Sequence, residues 1–392
     1  MVATILREKN NGFKKFNQFL SNTDAAKVGN VEINNKKSWI EVVKNPKLFY
    51  EDKENSNNIC SNFMKNHPLW KVKRKNQNSF IEKTVSDVNP LIEADDIQAD
   101  FQHNIHLKNV KLLAYEKDVK LKTSGNMLLE GIEANAKRDI ILEASQDLKI
   151  VSTVSRQGDD KNYKDTLTRV FLSAGRNLFV NAGQDLILEG IHTDSGLQTK
   201  LHANRHLMDK AVALAIQTFW QDGENHERTR SVHQDVSKHT SKGDFVSKAN
   251  GVQIIYANII DALNILIEGD QGVYEQDVHD TYEYDSKKVT KGEGWFESDS
   301  TDIRQVFMAM SKGVHHKANQ ITVRSIAGPL DLTNITYIAS QTLLESIKAI
   351  NFHVGTNQCS SVQASSDSNI FWTSQDIQKQ NHITIPNINM NW

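Results

Sequence analysis

Proline is scarce in this chain and absent from its middle. The 392 residues include 5 prolines, and none lies between Pro90 and Pro329. A stretch of this length without proline suits long helices or continuous, fully paired strands, because proline lacks the backbone N–H that both require. Glycine is sparse early in the chain, where only Gly12 and Gly29 precede Gly125.

Cysteine and net charge exclude further classes of protein. Two cysteines, Cys60 and Cys359, cannot make a disulfide framework, and neither has metal-site spacing. With a formal net charge of −2, the chain as a whole has no excess of positive charge that would favour binding to nucleic acid or an anionic membrane. No cofactor motif is present either, since the chain has no Walker A or Gly-x-Gly-x-x-Gly loop and no Gly-x-Ser-x-Gly elbow.

Long apolar runs are missing as well. The first twenty residues contain no apolar core or small-residue cleavage site of a signal peptide. No window approaches the roughly 18 apolar residues that a membrane-spanning helix needs. Taken alone, this beginning predicts a cytoplasmic protein without a membrane span.

Charge is spread unevenly. Residues 1–90 hold 16 Lys and Arg against 9 Asp and Glu, so the remainder is acidic. The sharpest basic cluster, Lys71 to Lys75 beside Trp70, is typical either of a contact with nucleic acid or an acidic surface, or of a solvated face, which we favour. Residues 1–88 are therefore an N-terminal segment of unclear fold.

A short repeat marks the middle of the chain. An Asp or Asn precedes an apolar–any–apolar triplet, and this pair of motifs recurs after 21 residues. A period near 21 is too short for helical-pair repeats and favours stacked strands. The six copies begin at Asp118, Asn126, Asp139, Asp147, Asn177 and Asp185.

The residue types within the repeat predict strands. Each triplet alternates at period 2, is rich in Leu, Ile and Val, and is followed by turn-forming residues. No leucine-rich-repeat consensus occurs, and no helices of suitable length separate the strands, which excludes a doubly wound α/β fold. The fold class expected is all-β: a right-handed parallel β-helix, a solenoid with coils of about 21 residues.

Interruptions of the repeat suggest the organisation of the rest. Residues 207–216 are predicted to be helical, with a short strand as the alternative, and a hairpin is expected around Gly292–Gly294. The predicted segments are 1–88 (N-terminal, basic), 89–200 (first β-helix block), 201–250 (insertion, partly helical or hairpin), 251–272 (coils), 273–318 (projecting hairpin), 319–359 (final coils) and 360–392 (C-terminal tail).

Carboxylates in the repeat raise an alternative function. Asp118, Asp139, Asp147 and Asp185 could stack on neighbouring coils as in β-helix polysaccharide lyases or hydrolases. However, Asn replaces Asp at Asn126 and Asn177, which a catalytic carboxylate would not tolerate. We therefore expect these side chains to hydrogen-bond their own turns, and we predict no catalytic residues.

Histidines and aromatics are the remaining candidates. His202 and His206, and the adjacent His315 and His316, could ligate a metal, but the zinc-protease Glu is missing, so no metal site is predicted. The aromatics of the expected hairpin could contact a receptor or glycan, or could lie back on the β-helix and cover it. These candidate surface-contact residues are Tyr274, Tyr282, Tyr284, Trp295 and Phe296.

The coil motif carries a family resemblance over roughly residues 89–359. The run from Ser173 to Leu186 holds two copies of Ala-Gly-x-Asp/Asn-Leu, and Tyr282 to Ser298 joins a Tyr-rich strand to a Gly-Trp-Phe-x-Ser turn. These features resemble the haemagglutinin repeats of the filamentous haemagglutinin family, large two-partner-secretion exoproteins that include contact-dependent growth-inhibition proteins.

This resemblance implies a function and partners. Such proteins leave the cell through an outer-membrane secretion partner and form β-helical filaments for adhesion or for carrying a toxin. We therefore expect a secreted or cell-surface, non-catalytic stalk that meets a receptor or glycan on a host or neighbouring cell. Because the family's signal peptide and secretion domain are missing, the chain is expected to be an internal piece or a degenerate remnant of a larger exoprotein.

Overall fold

The computed structural model describes residues 27–28, 31–32, 90–293, 299–368 and 373–387. Within these ranges every regular element is a β-strand, as the all-β prediction required. The strands β1 (Lys27–Val28) and β2 (Val31–Glu32) form a short antiparallel pair. The basic cluster at residues 71–75 lies outside the described residues.

The other strands follow one another almost without interruption from residue 91. In chain order they are β3 (Leu91–Ala94), β4 (Ile97–Phe101), β5 (Ile105–Lys108), β6 (Lys111–Ala114), β7 (Val119–Thr123), β8 (Met127–Glu130), β9 (Glu133–Ala136), β10 (Ile140–Ala144), β11 (Leu148–Val151), β12 (Thr153–Gly158), β13 (Tyr163–Thr168), β14 (Phe171–Ala174), β15 (Asn177–Ala182), β16 (Leu186–Glu189), β17 (His192–Ser195), β18 (Gln198–Ala203), β19 (Leu207–Lys210), β20 (Val212–Asp222), β21 (Asn225–Asp235), β22 (Lys238–Ser241), β23 (Asp244–Ala249), β24 (Val252–Tyr256), β25 (Ile259–Asp261), β26 (Asn264–Gly269), β27 (Gly272–Gln276), β28 (Val278–Thr290), β29 (Asp299–Lys312), β30 (Val314–Lys317), β31 (Gln320–Ser325), β32 (Leu330–Thr333), β33 (Ile335–Ile338), β34 (Gln341–Ser346), β35 (Ile350–His353), β36 (Gly355–Ser368) and β37 (Thr373–Asn387).

Most of these strands build three parallel sheets of nine strands each. Sheet 1 runs β3-β6-β9-β14-β17-β22-β25-β30-β33, sheet 2 runs β4-β7-β10-β15-β18-β23-β26-β31-β34, and sheet 3 runs β5-β8-β11-β16-β19-β24-β27-β32-β35. The chain therefore visits sheets 1, 2 and 3 in turn and then repeats, and we call each such set of three strands a coil. This topology is consistent with a parallel β-helix.

Apolar side chains at alternate positions fill the space between the sheets. Ile140 of β10 pairs in parallel register with Val119 on one side and with Leu178 on the other, and all three are fully buried. Their neighbours Lys120 and Ile141 point outward and are only partly buried. Each fully buried Leu, Ile or Val contributes about 1.5–3 kcal/mol, so the strands that carry such residues stabilise the stack of coils.

The Asp and Asn of the repeat join one coil to the next. Oδ1 of Asp118 accepts a hydrogen bond from the backbone N–H of Asp139 (3.1 Å), and Oδ1 of Asp139 accepts one from Asn177 (3.0 Å). A second ladder runs from Asn126 through Asp147 to Asp185 in the same way. The expectation that these side chains hydrogen-bond their own turns was wrong. Asp118, Asn126, Asp139, Asp147 and Asp185 each accept the equivalent backbone N–H of the following coil, whereas Nδ2 of Asn177 donates to Asp139 of the preceding coil.

The interruptions of the repeat form a fourth sheet that the sequence did not predict. Its eight antiparallel strands run β12-β13-β20-β21-β28-β29-β36-β37, and we call it the lateral sheet. Each of its four strand pairs follows a strand of sheet 3, namely β11, β19, β27 or β35. Since all four pairs leave the coils at the same corner, they come to lie beside one another.

Several predicted boundaries differ from those in the structure. Residues 207–216 are not helical, because Leu207–Lys210 is a coil strand of sheet 3 and Val212 begins the lateral strand β20. The insertion predicted at 201–250 is confined to residues between β19 and β22. The projecting pair within 273–318 comprises β28 and β29, and the predicted C-terminal tail contains the lateral strands β36 and β37.

Candidate functional site

Three of the five predicted surface-contact aromatics fall within the described residues, and they differ in burial. Tyr274 belongs to the coil strand β27, where it is partly buried. Tyr282, on β28, is only 7% exposed, and burial raises the pKa of its phenol. Tyr284 lies farther along β28, while Trp295 and Phe296 lie outside the described residues. Of the three that are described, only Tyr284 lines the open depression of the lateral sheet.

This depression, which we call the lateral groove, crosses four strands of the lateral sheet. Trp220 of β20 pairs with Glu227 of β21, Glu227 pairs with Ser286 of β28, and Ser286 pairs with Arg304 of β29. Residues directly opposite one another in an antiparallel sheet point to the same face. These four side chains therefore make one row, and the groove above them has a volume of about 490 Å³.

A second row completes the lateral groove. Lys288 pairs directly with Asp302, two residues along their strands from Ser286 and Arg304. Asn225 begins the neighbouring strand β21, where its Oδ1 accepts the backbone N–H of Val289 at 2.6 Å. The two rows are on the same face, since side chains alternate at period 2 along each strand.

The charges of the lateral groove nearly balance. Glu227 and Asp302 supply carboxylates, whereas Lys288 and Arg304 supply cations. Lys287 also lines the groove, and its charge is offset by Glu224, 3.3 Å from its Nζ. The groove therefore offers hydrogen-bond donors and acceptors in similar number, beside an indole ring.

Trp220 is the most open part of this site. Its side chain is 56% exposed, which is high for a residue of this size. An exposed Trp in a cleft lined by polar groups is a favourable surface for the apolar face of a ligand. Sequence reasoning missed this residue, although an isolated Phe219-Trp220 pair at the start of a polar segment was a visible signal.

The sequence predicted no metal site at either histidine pair, His202 with His206 or His315 with His316. Nδ1 of His202 lies 2.8 Å from Oδ1 of Asn181, while Nδ1 of His206 accepts the backbone N–H of Val252 at 3.1 Å. His315 and His316 point to opposite sides of β30, and His316 is fully buried. Within the described part of the chain, no group of three or more His, Cys, Asp or Glu residues could hold a metal ion.

The carboxylates considered for a lyase or hydrolase fall into two separate ladders. Asp118 and Asp139 lie in one, and Asp147 and Asp185 in the other. In every case Oδ1 is occupied by a backbone N–H, and Asp185 also receives two hydrogen bonds from Arg205, at 2.6 and 2.5 Å. These contacts give the four carboxylates a structural role in joining coils.

None of the described residues forms a helix with the length and apolar character needed to cross a membrane.

Comparisons with known proteins give no further guide to this site. No family model matches the chain, and no curated protein or solved structure matches it. The functional proposal therefore depends on the geometry of two features: the stack of coils, which we call the rod, and the lateral groove.

Proposed function

We propose that this chain is a non-catalytic stalk segment of a secreted or cell-surface filament, built as a right-handed parallel β-helix with coils of about 21 residues. The observation that carries the proposal is the combination of three continuous nine-stranded parallel sheets with a lateral sheet fixed along one corner. At about 4.8 Å per strand, nine coils extend on the order of 40 Å. A stack of paired strands resists bending, so it can hold a binding surface at a fixed distance from the cell.

The lateral sheet supplies the surface for contact in this proposal. Three of its four strand pairs, including the two that carry the lateral groove, both follow and precede a coil strand, so the groove is held on a rigid support. Rigid presentation lowers the ordering cost of binding. The rod thus acts in adhesion, or in holding a toxin away from the producing cell, and an outer-membrane secretion partner exports it.

A short glycan is the ligand class that the lateral groove fits best. A sugar ring has an apolar C–H face that packs on an aromatic ring, and hydroxyls that both donate and accept hydrogen bonds. Trp220 provides the ring, Glu227 and Asp302 provide acceptors, and Lys288 and Arg304 provide donors. A volume of about 490 Å³ lies in the range of small-molecule sites.

Surface labelling tests the stalk proposal. Intact cells that produce the protein are stained with an antibody against residues 90–368, with a cytoplasmic protein as the control for lysis. We expect staining of intact cells without staining of the control. Staining that appears only after permeabilisation would overturn the surface assignment.

A further inference from the structure

The interior of the rod changes character along its length. Between sheets 1 and 3, the early coils bury apolar residues such as Ile150 and Leu172. At the equivalent positions of later coils the buried residues are Asp209 and His239. Buried charged groups are rarely retained without partners, which directs attention to what holds them.

The first acid–histidine pair is connected through Oδ2 of Asp209 and both ring nitrogens of His239, whereas Oδ1 of Asp209 has no hydrogen-bond partner among the described residues. Nε2 of His239 lies 3.0 Å from Oδ2 of Asp209, and Nδ1 of His239 lies 3.0 Å from Oγ1 of Thr193. Asn258 donates from Nδ2 to the same Oδ2 of Asp209 at 2.8 Å. Asn258 then turns its Oδ1 towards Nε2 of His316, at 3.0 Å. The hydrogen bonds thus continue along the rod from one pair to the next.

The second pair, Glu275 and His316, is held less completely. Both side chains are fully buried, and Oε1 of Glu275 lies 3.8 Å from Nδ1 of His316. The Tyr337 hydroxyl donates to Oε2 of Glu275, and its ring stacks on His316 with centroids 5.3 Å apart. Among the described residues, neither Oε1 of Glu275 nor Nδ1 of His316 has a hydrogen-bond partner.

The network assigns the proton in this second pair. Since Asn258 uses its amide N–H on Asp209, its oxygen faces His316 and must accept, which places a hydrogen on Nε2 of His316. The neutral imidazole then has a bare Nδ1. A protonated Glu275 is neutral and can direct its O–H towards this nitrogen, which at 3.8 Å lies beyond hydrogen-bond distance, whereas an ionised Glu275 offers no donor and leaves a buried negative charge.

The position of the two pairs in the fold is not random. Asp209 and His239 lie on β19 and β22, which flank the lateral pair β20–β21. Glu275 and His316 lie on β27 and β30, which flank β28–β29. Where no lateral pair intervenes, between β24 and β25, the equivalent residues are Ile255 and Ile260. Each acid–histidine pair therefore lies where one of the two inner lateral pairs, β20–β21 or β28–β29, joins the coils. We call this position the root of the lateral pair.

Burial acts on the pKa values of the second pair in opposite directions. It raises the pKa of Glu275 to about 8, against which the Tyr337 hydrogen bond acts, and it lowers the pKa of His316 to about 3. The other titratable groups that act on this pair are Tyr337, His239 and His315. Both members are therefore neutral near pH 6.

We propose that Glu275 and His316 form a proton-controlled joint at the root of β28–β29. While Glu275 keeps its proton, the surrounding coils stay closed. When Glu275 loses that proton to solvent, the buried carboxylate opens these coils and loosens the two long strands from the rod. The proposal rests on the fold alone and is independent of the proposed glycan site.

The sign and size of the effect follow from proton linkage. In the opened state Glu275 has its ordinary pKa of 4.5, so the closed state binds more protons between this value and pH 8. Opening therefore becomes more favourable as the pH rises through that window. With the compensating titration of His316 included, the opening constant increases roughly tenfold between pH 6 and pH 8.

Amide hydrogen exchange of the full chain tests the joint. Exchange is measured by mass spectrometry at pH 6 and pH 8 and corrected for the intrinsic chemical rate. Peptides covering β27 and β30 are expected to show about tenfold more opening at pH 8, whereas peptides covering β7 to β11 report the apolar coils and should not change. An unchanged opening constant at β27 and β30 would overturn the proposal.

Two variants distinguish opening at the joint from a general loss of stability of the protein at higher pH. Glu275→Gln keeps the shape and supplies an N–H towards His316 but cannot ionise, so the pH effect should vanish. Glu268→Gln removes another acid of the preceding strand, one whose pKa is lowered next to Arg324, so the effect should remain. A pH effect that persists in Glu275→Gln contradicts the joint.

A measurement on the unaltered protein covers the case in which Glu275→Gln fails to fold. Difference infrared spectroscopy between pH 6 and pH 8.5 should show the loss of one protonated buried carboxyl band. If no such band is present at pH 6, Glu275 is already ionised and the proposal fails.

Discussion

Oδ1 of Asp147 accepts a hydrogen bond from the backbone N–H of Asp185 at 3.1 Å, although the two residues are 38 apart in the sequence. The same relationship joins Asp185 to His206 one coil later. A side chain that looks like a local turn former is thus a contact between coils. Because Oδ1 of Asn has the same geometry as Oδ1 of Asp, either residue can serve.

The first prediction concerns this ladder. Asp147→Ala removes the acceptor for the Asp185 N–H and should lower the free energy of unfolding by about 1 kcal/mol. Asp147→Asn keeps the acceptor and loses only an exposed ion pair with Arg205 at 3.6 Å, so it should cost less than about 0.5 kcal/mol. Urea denaturation of both variants provides the comparison, and equal costs would refute the ladder's role.

The second prediction concerns the apolar core. Leu148 and Leu186 pair directly on β11 and β16, and both are fully buried. Leu148→Asp or Leu186→Asp buries an unpaired charge and should destabilise the neighbouring coils by more than about 3 kcal/mol. Limited proteolysis should then cut within β8 to β16. The matched control Lys149→Asp changes an exposed residue of the same strand and should remain resistant.

The third prediction concerns the contact between the lateral pairs β12–β13 and β20–β21. Asp165 receives two hydrogen bonds from Arg156, at 2.8 and 3.1 Å, and one from the backbone N–H of Ala215 at 3.0 Å. Asp165→Ala should therefore expose the Ala215 amide to exchange and loosen β13 from β20. Asp165→Asn retains an oxygen for Ala215 and should preserve most of the protection.

This contact also has a predictable pH dependence. The Arg156 side chain lowers the pKa of Asp165 below its ordinary value of 3.8. The stabilisation is therefore complete above about pH 3.8 and is lost as the pH falls through the lower folded-state value. After correction for the intrinsic chemical rate of exchange, the opening constant of the Ala215 amide should increase in acid in the unaltered protein, but not in Asp165→Asn. An equal increase in both would show that another group is responsible.

The fourth prediction concerns the lateral groove. Trp220→Ala should abolish or weaken glycan binding at least tenfold while leaving the unfolding midpoint nearly unchanged, because the indole is 56% exposed. Tyr115→Ala, which removes another exposed aromatic from the coils, serves as the control and should bind normally. A glycan array followed by calorimetry makes the measurement. Absence of any glycan ligand would reject the groove assignment but not the stalk.

Part of the fold could be predicted from local pattern. The Asp or Asn followed by alternating apolar residues correctly placed β7, β8, β10, β11, β15 and β16, because a strand with one face in a core must alternate at period 2. The helix predicted at residues 207–216 was wrong. That segment includes Asp209, whose partners His239 and Asn258 lie 30 and 49 residues away and are therefore invisible to a local pattern.

The candidate site was much less predictable. Tyr284 was named from its aromatic neighbours, but Trp220, Glu227 and Arg304 come from three different strands and share no local pattern. Their meeting depends on the register between lateral strands. That register depends on the positions at which the lateral pairs leave the coils. These positions cannot be read from the sequence of any one segment.

The sequence by itself determined the all-β class and the alternation that separates core from surface, since these depend on side chains a few residues apart. Only the tertiary structure decided that the Asp and Asn ladders bind between coils, that four insertions pair into one lateral sheet, and that Glu275 meets His316 in the interior. The physical reason is that each of these depends on hydrogen bonds between distant segments, and stacking of the coils is what brings those segments into register.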